Sequence, residues 1–174
     1  MYYLGQIDER KSNMARNVKV VASKDKHNPL WHLYRYISFF KLFKNTIIIE
    51  VLRYFPFIRL KPVLYRRLLN MEIGAYTALA FKVVPDLLYP EKIKIGENVT
   101  IGYQTTILTH EFLPNELRVG NVIIGNDTLI GANVTILPGV VIGDRVQVGA
   151  HTVVSKDIPN DTKAMGNPMQ FKPL

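Results

Sequence analysis

Aliphatic residues recur every six positions through the C-terminal half of the chain: Ile95, Ile101 and Ile107, then Ile124, Ile130, Ile136, Ile142, Val148 and Val154. Most are followed by glycine or another small residue, as in IGENVT, IGYQTT, IGNDTL, IGANVT, IGDRVQ and VGAHTV. Four positions after an aliphatic stands a second apolar or β-branched residue: Val99, Thr105, Thr128, Val134, Val140, Val146, Thr152 and Ile158. This period is neither the roughly 3.6 of a helix nor the spacing of antiparallel hairpins. It predicts short strands with inward residues at both ends, separated by tight turns in which Gly, Asn or Asp adopts a positive φ. Three such strands close one circuit of a prism, and circuits stack so that like residues lie above like. The fold class expected is mainly β: a parallel β-helix of hexapeptide repeats over residues 71–174.

Residues 1–70 follow another grammar. From Asn28 to Leu69, aromatic and aliphatic residues are interrupted every few positions by Arg or Lys, as in WHLYRYISFFKLFKN and VLRYFPFIRLKPVLYRRLL, which predicts short amphipathic α-helices preceding the coil. Asn28 before Pro29 is a helix start, a capping side chain followed by a residue whose missing N–H costs nothing in the first turn; Pro62 opens another helix in the same way. No apolar run approaches the ~18 residues of a spanning helix.

Charge sharpens the division. Residues 1–70 hold 14 of the 22 Lys and Arg but 4 of the 14 Asp and Glu, a net +10 that leaves −2 for the rest. Helices of this kind cap the open end of the coil or lie on an anionic membrane surface, two compatible roles of which capping is favoured. No nucleic-acid-binding motif accompanies the charge, so nucleic acid is not an expected partner. The chain has no cysteine, which excludes disulfides, thiolate metal sites and a cysteine nucleophile and fits a cytoplasmic setting. The start, MYYLGQIDERK, carries no secretory signal pattern.

The repeat breaks between Ile107 and Ile124, an interval of 17 residues. Read as two repeats plus five residues, it predicts a loop inserted at about 109–120. A loop thrown out of a regular solenoid is a place to look for chemistry, and this one contains His110. The repeat and the string TTILTHEFLPNELRVGNVIIG together resemble the hexapeptide-repeat acyltransferases, most closely in layout the maltose, galactoside and streptogramin-type O-acetyltransferases, over about residues 73–168. The resemblance implies a left-handed winding, a homotrimer with sites between subunits, acetyl-CoA as co-substrate without a metal, a saccharide or similar hydroxyl acceptor, and His110 as the catalytic base.

Acyl transfer to an alcohol independently calls for such a group. A base with a pKa near neutrality removes the hydroxyl proton and returns one to the leaving thiolate. Its other ring nitrogen needs an acceptor, for which Glu111, Glu116 and Asp86 are the candidates. Asp86 lies upstream of the regular repeats, where relatives carry a polar residue of the acceptor site. Glu111 falls on an inward-type fourth position, and Arg118 stands where longer loops of relatives have a glutamate.

The closing string VVSKDIPNDTKAMGNPMQF resembles the family's terminal segment. Carried over by position, the resemblance implies Ala132, Ala150, Ser155 and Lys156 along a coenzyme A groove, with Lys156 near a phosphate and Lys163 and Lys172 as further cations. Leu129 replaces a tryptophan frequent in relatives, and Gln170 and Pro173 replace basic residues. A γ-type carbonic anhydrase shares the coil but needs three converging histidines, and the repeat region has only His110 and His151. His151 reads as a solvated outward residue, and His27 and His32 as structural or solvated. The competing class is a non-catalytic trimeric scaffold held on an anionic membrane by its N-terminal helices, peripheral rather than spanning.

Overall fold

The computed structural model describes residues 16–23 and 27–173; the segment MYYLGQIDERK lies outside them. The repeats form a three-faced parallel coil. One face stacks Glu72–Ile73, Ile93–Ile95, Val122–Ile124 and Val141–Ile142. The second stacks Ala78–Leu79, Thr100–Ile101, Leu129–Ile130, Gln147–Val148 and Thr162–Met165, and is closed by the antiparallel strand Gln170–Pro173. The third stacks Val84–Pro85, Thr106–Ile107, Thr135–Ile136 and Val153–Val154.

The register is that of the repeat. Ile95 pairs with Ile124 and Ile124 with Ile142; Ile101, Ile130 and Val148 align on the second face, and Ile107, Ile136 and Val154 on the third. All nine of these aliphatics are buried, as are all eight residues four positions further on. Each of the buried Ile and Val side chains stabilises by roughly 1.5–3 kcal/mol.

The turns correct one expectation. Positive φ belongs to Asn98, Asp127, Asn133 and several bulkier residues, including Arg145 and His151, whereas the glycines that follow the aliphatics have no such φ. Those glycines are needed for space: a Cβ on Gly131 would stand 2.6 Å from the amide nitrogen of Ala150 in the next winding. The interval between Ile107 and Ile124 also differs from its prediction. Because Ile95 pairs directly with Ile124, one face-to-face step carries the whole insertion, and no second repeat lies within it.

A 3-10 turn, Pro29–Arg35, precedes helices α1 (Phe39–Arg53) and α2 (Lys61–Leu69). The Asn28 side chain accepts from the Trp31 amide as a cap, Ser38 accepts from Lys41 N at the start of α1, and Pro62 lies in the first turn of α2. Ile49 and Leu52 of α1 and Tyr65 and Leu69 of α2 share one buried cluster with Ile73, Leu79 and Val83 of the first winding. The helices therefore cover that end of the coil. Lys61 is buried there, donating from Nζ to Ala80 O at 2.8 Å, and loss of solvent pushes its pKa down to about 8. No helix among the described residues is long and apolar enough to cross a membrane.

One element was not expected. Upstream of the helices, in the basic N-terminal segment, Val18–Ala22 forms a strand.

Candidate active site

The insertion folds as an antiparallel hairpin, His110–Leu113 against Glu116–Gly120. The strand Val18–Ala22 pairs with its outer edge, Val18 beside Gly120 and Ala22 beside Glu116, making a three-stranded sheet. That strand is anchored where the Asn17 amide donates to Gly139 O at 3.0 Å. Gly139 has φ +81, and a Cβ there would fall 2.6 Å from Asn17 O. A glycine therefore serves both the turn and the close approach of the arm.

His110 is the first residue of the hairpin, and what lies beneath it is set by the coil. Pro85 pairs with Ile107 on the third face, so Asp86 leaves the first winding just below the point where His110 leaves the second. The Asp86 side chain is fully buried, and five donors converge on it. Its Oδ1 accepts from the amides of Leu88 and Tyr89, at 2.8 and 2.9 Å. Its Oδ2 accepts from the amides of Thr109 and His110, at 2.8 and 3.2 Å, and lies 2.6 Å from His110 Nδ1. Burial pushes this carboxyl up, but the hydrogen bond and charge of His110, with the Tyr89 and Thr109 amides, outweigh it and hold the group below its ordinary value. The carboxylate is ionised at neutral pH. In the neutral imidazole the partner nitrogen Nδ1 then carries the hydrogen, and Nε2 has the free lone pair.

Thr109 Oγ1 donates to Tyr89 O at 3.0 Å, and Asn45 of α1 donates from Nδ2 to Leu87 O at 2.9 Å, fixing the turn that holds Asp86. Around the imidazole stand Phe112 and Tyr89, with ring centroids 5.4 and 6.3 Å away. Tyr36, between the 3-10 turn and α1, meets Phe112 edge-on at 6.1 Å. These three aromatics were missed in the sequence. Phe112 was legible, since alternate residues of a strand share a face; Tyr36 and Tyr89 had no signal.

Of the three carboxylates proposed for His110, Asp86 is the one in contact. Glu111 is not an inward residue of the coil. It lies in the hairpin and accepts from Arg16 at 3.1 and 3.0 Å and from Arg118 at 3.4 Å. Glu116 accepts from Arg118 Nε at 2.6 Å. Both carboxylates brace the hairpin.

The residues expected along a coenzyme A groove are not gathered around His110 in one chain. Ala132 and Ala150 lie on neighbouring windings at the entry edge of the third face, where the His151 amide donates to Ala132 O. Ser155 and Lys156 follow Val153–Val154 at the exit edge, the side from which His110 departs. Lys156 lies 4.6 Å over the Phe171 ring, and Lys163 stands opposite Lys172 in the closing antiparallel pair.

Residues 121–156 match the family model for the bacterial transferase hexapeptide (six repeats). YvoF of Bacillus subtilis (strain 168), which is named as an acetyltransferase, is 52% identical over 144 residues, covering 83% of this chain and 84% of that protein. The chain belongs to the hexapeptide-repeat acetyltransferases. Within that family it is also similar to the galactoside O-acetyltransferase of Escherichia coli (strain K12), 35% identical over 112 residues, which span 62% of this chain and 55% of that protein. Among solved structures, the hexapeptide-repeat acetyltransferase VCA0836 of Vibrio cholerae in complex with acetyl coenzyme A is 26% identical, with a TM-score of 0.65 over 76% of this chain and 87% of that one.

Proposed function

We propose that the chain is an O-acetyltransferase that moves an acetyl group from acetyl-CoA to a hydroxyl of a sugar, polysaccharide unit or similar acceptor, with His110 as general base. The observation that carries this reading is the 2.6 Å contact of His110 Nδ1 with the fully buried, ionised Asp86. A histidine so held presents Nε2 as a base, and Asp86 stabilises the imidazolium that forms after it takes a proton.

The bound co-substrate supplies an activated thioester carbonyl. His110 Nε2 accepts the proton of the acceptor hydroxyl as its oxygen attacks, then returns that proton to the departing sulfur, so no covalent enzyme intermediate is required. Tyr36, Tyr89 and Phe112 give the base an apolar surround that suits the face of a sugar ring. The complex of VCA0836 with acetyl coenzyme A supports the co-substrate. The name of the E. coli relative supports a saccharide acceptor.

The assembly proposed is a homotrimer of left-handed coils. The alanine edge and the His110 edge lie at opposite margins of one face, so a cofactor running along Ala132 and Ala150 of one chain would meet His110 of the next. A purely structural scaffold gives no reason to bury a carboxylate beneath a histidine that keeps some access to solvent.

The test is thiol release from acetyl-CoA across a panel of hydroxylated acceptors. His110→Ala should keep the oligomer and lower transfer by about 10²–10⁴-fold. Near-full transfer by this variant would remove His110 from the mechanism.

A further inference from the structure

Helix α1 is apolar on two opposite sides. Asn45, Ile49 and Leu52 face the coil and are buried, while Phe40, Phe43, Ile47, Val51 and Tyr54 form a second stripe at helical spacing, all exposed. The stripe is joined by the 3-10 turn that precedes it. Trp31 is 78% exposed and Phe40 81%, and the rings of Tyr34, Phe40 and Phe43 each meet that of Phe39, at 5.8 to 6.0 Å. A helix apolar all round is normally buried on all sides, and a contiguous exposed apolar patch of this kind marks a surface that meets something.

The charges around it say what. Between His27 and Asn70 the chain has eight Lys and Arg and a single acid, Glu50; Lys61 is buried against the coil, and Lys41 and Arg53 pair with Glu91 and Glu50, while Lys44 and Arg67 stand exposed. Lys44 stands exposed on the outer side of α1 and donates to Leu68 O, which brings α2, with its exposed Arg67 and Leu68, alongside the stripe. The core of a protein interface is depleted in lysine. Exposed Trp and Tyr with Phe, Ile and Val, flanked by cations on long apolar stems, suit the boundary between lipid headgroups and acyl chains.

We infer that this outer surface of the 3-10 turn, α1 and the adjoining end of α2 lies in the interface of an anionic lipid bilayer. The apolar stripe enters the acyl boundary, while Lys44 and Arg67 remain at the level of the phosphates. Attachment is by insertion and charge together, without a spanning segment. The inference stands on this surface and is independent of the role of His110.

The full chain is mixed with vesicles of phosphatidylcholine alone, or of equal parts phosphatidylcholine and phosphatidylglycerol, and floated on a density gradient. Wild type should float with the anionic vesicles, much less with the neutral ones, and less as salt is raised. Phe40→Glu/Val51→Glu should reduce flotation by about tenfold or more, with unchanged mass by light scattering. Lys44→Gln/Arg67→Gln should weaken binding to anionic vesicles only. His110→Ala should float like wild type, so a failed catalytic assignment leaves this result untouched. Wild type that ignores anionic vesicles, or a Glu variant that floats equally well, overturns the inference. A Glu variant that falls apart into smaller species while wild type stays off the vesicles assigns the stripe to a second copy of the chain and overturns it too.

Discussion

The coil and helix α1 are both rich in large aliphatic side chains, and they dispose of them differently. In the coil, Ile124, Ile130 and Ile136 each lie between like residues of the windings above and below, and each is at most 1% exposed. In α1, Ile49 is fully buried while Val51, two positions on, is 60% exposed. A repeat supplies its own cover, because every winding brings the surface that the previous one needs. Helix α1 packs on its inner side against α2 and the end of the column, and no repeating partner follows to cover the stripe on its outer side.

Mutations at the two kinds of site test this contrast. Ile136→Ala should be the most damaging to stability, at about 2–5 kcal/mol, because rigid windings on both sides keep the cavity from collapsing; denaturant titration measures it. Next is Asp86→Asn, at about 1–3 kcal/mol. The amide can still accept from Leu88 and Tyr89, but it turns an NH2 toward the Thr109 and His110 amides, so donors face donors. The pH dependence of this loss identifies it. With the folded pKa of Asp86 below its ordinary 3.8, the carboxylate stabilises above that value, and its contribution disappears as the pH falls through the folded value. The gap between wild type and Asp86→Asn should therefore narrow in acid, as the pH falls through the folded value.

A pH-dependent effect of similar size is expected at Lys61, in the cap between α2 and the coil. Its folded pKa is about 8 against an ordinary 10.5, so between those values the unfolded chain holds a proton that the folded chain has released. Stability should rise with pH across that window and stay flat in Lys61→Met. Smallest of all is Val51→Ser, expected within about 0.5 kcal/mol of wild type in solution. A large loss of melting temperature there would mean that the outer stripe is already packed within the assembly, and the contrast with the coil would fail.

The inward positions of the coil were legible because a six-residue rule repeats, and each repetition corrects errors in the others. The start of the 3-10 turn at Asn28 and the opening of α2 at Pro62 were legible because capping and proline geometry are local. His110 stood out because it lies where the rule stops. Its partner did not: Asp86 is 24 residues away and reaches it through the stacking of two windings, which left three carboxylates equally open from the sequence. The strand Val18–Ala22 was invisible for a related reason, since its partner Glu116–Gly120 lies about half the chain away. Glu111 misled because position within the repeat was counted across a segment that had already left the coil. The glycines were correctly seen as special, for a reason only the spacing of windings reveals.

The arm that pairs with the hairpin bears on how this protein can be shortened. A version starting at Met71 would shed the helices and also leave Glu116–Gly120 with an unpaired edge, an invitation to clumping. It would further strip Glu111 of its contact with Arg16. Any loss of turnover in such a fragment would mix two injuries, and point changes on the helix surface are the cleaner instrument.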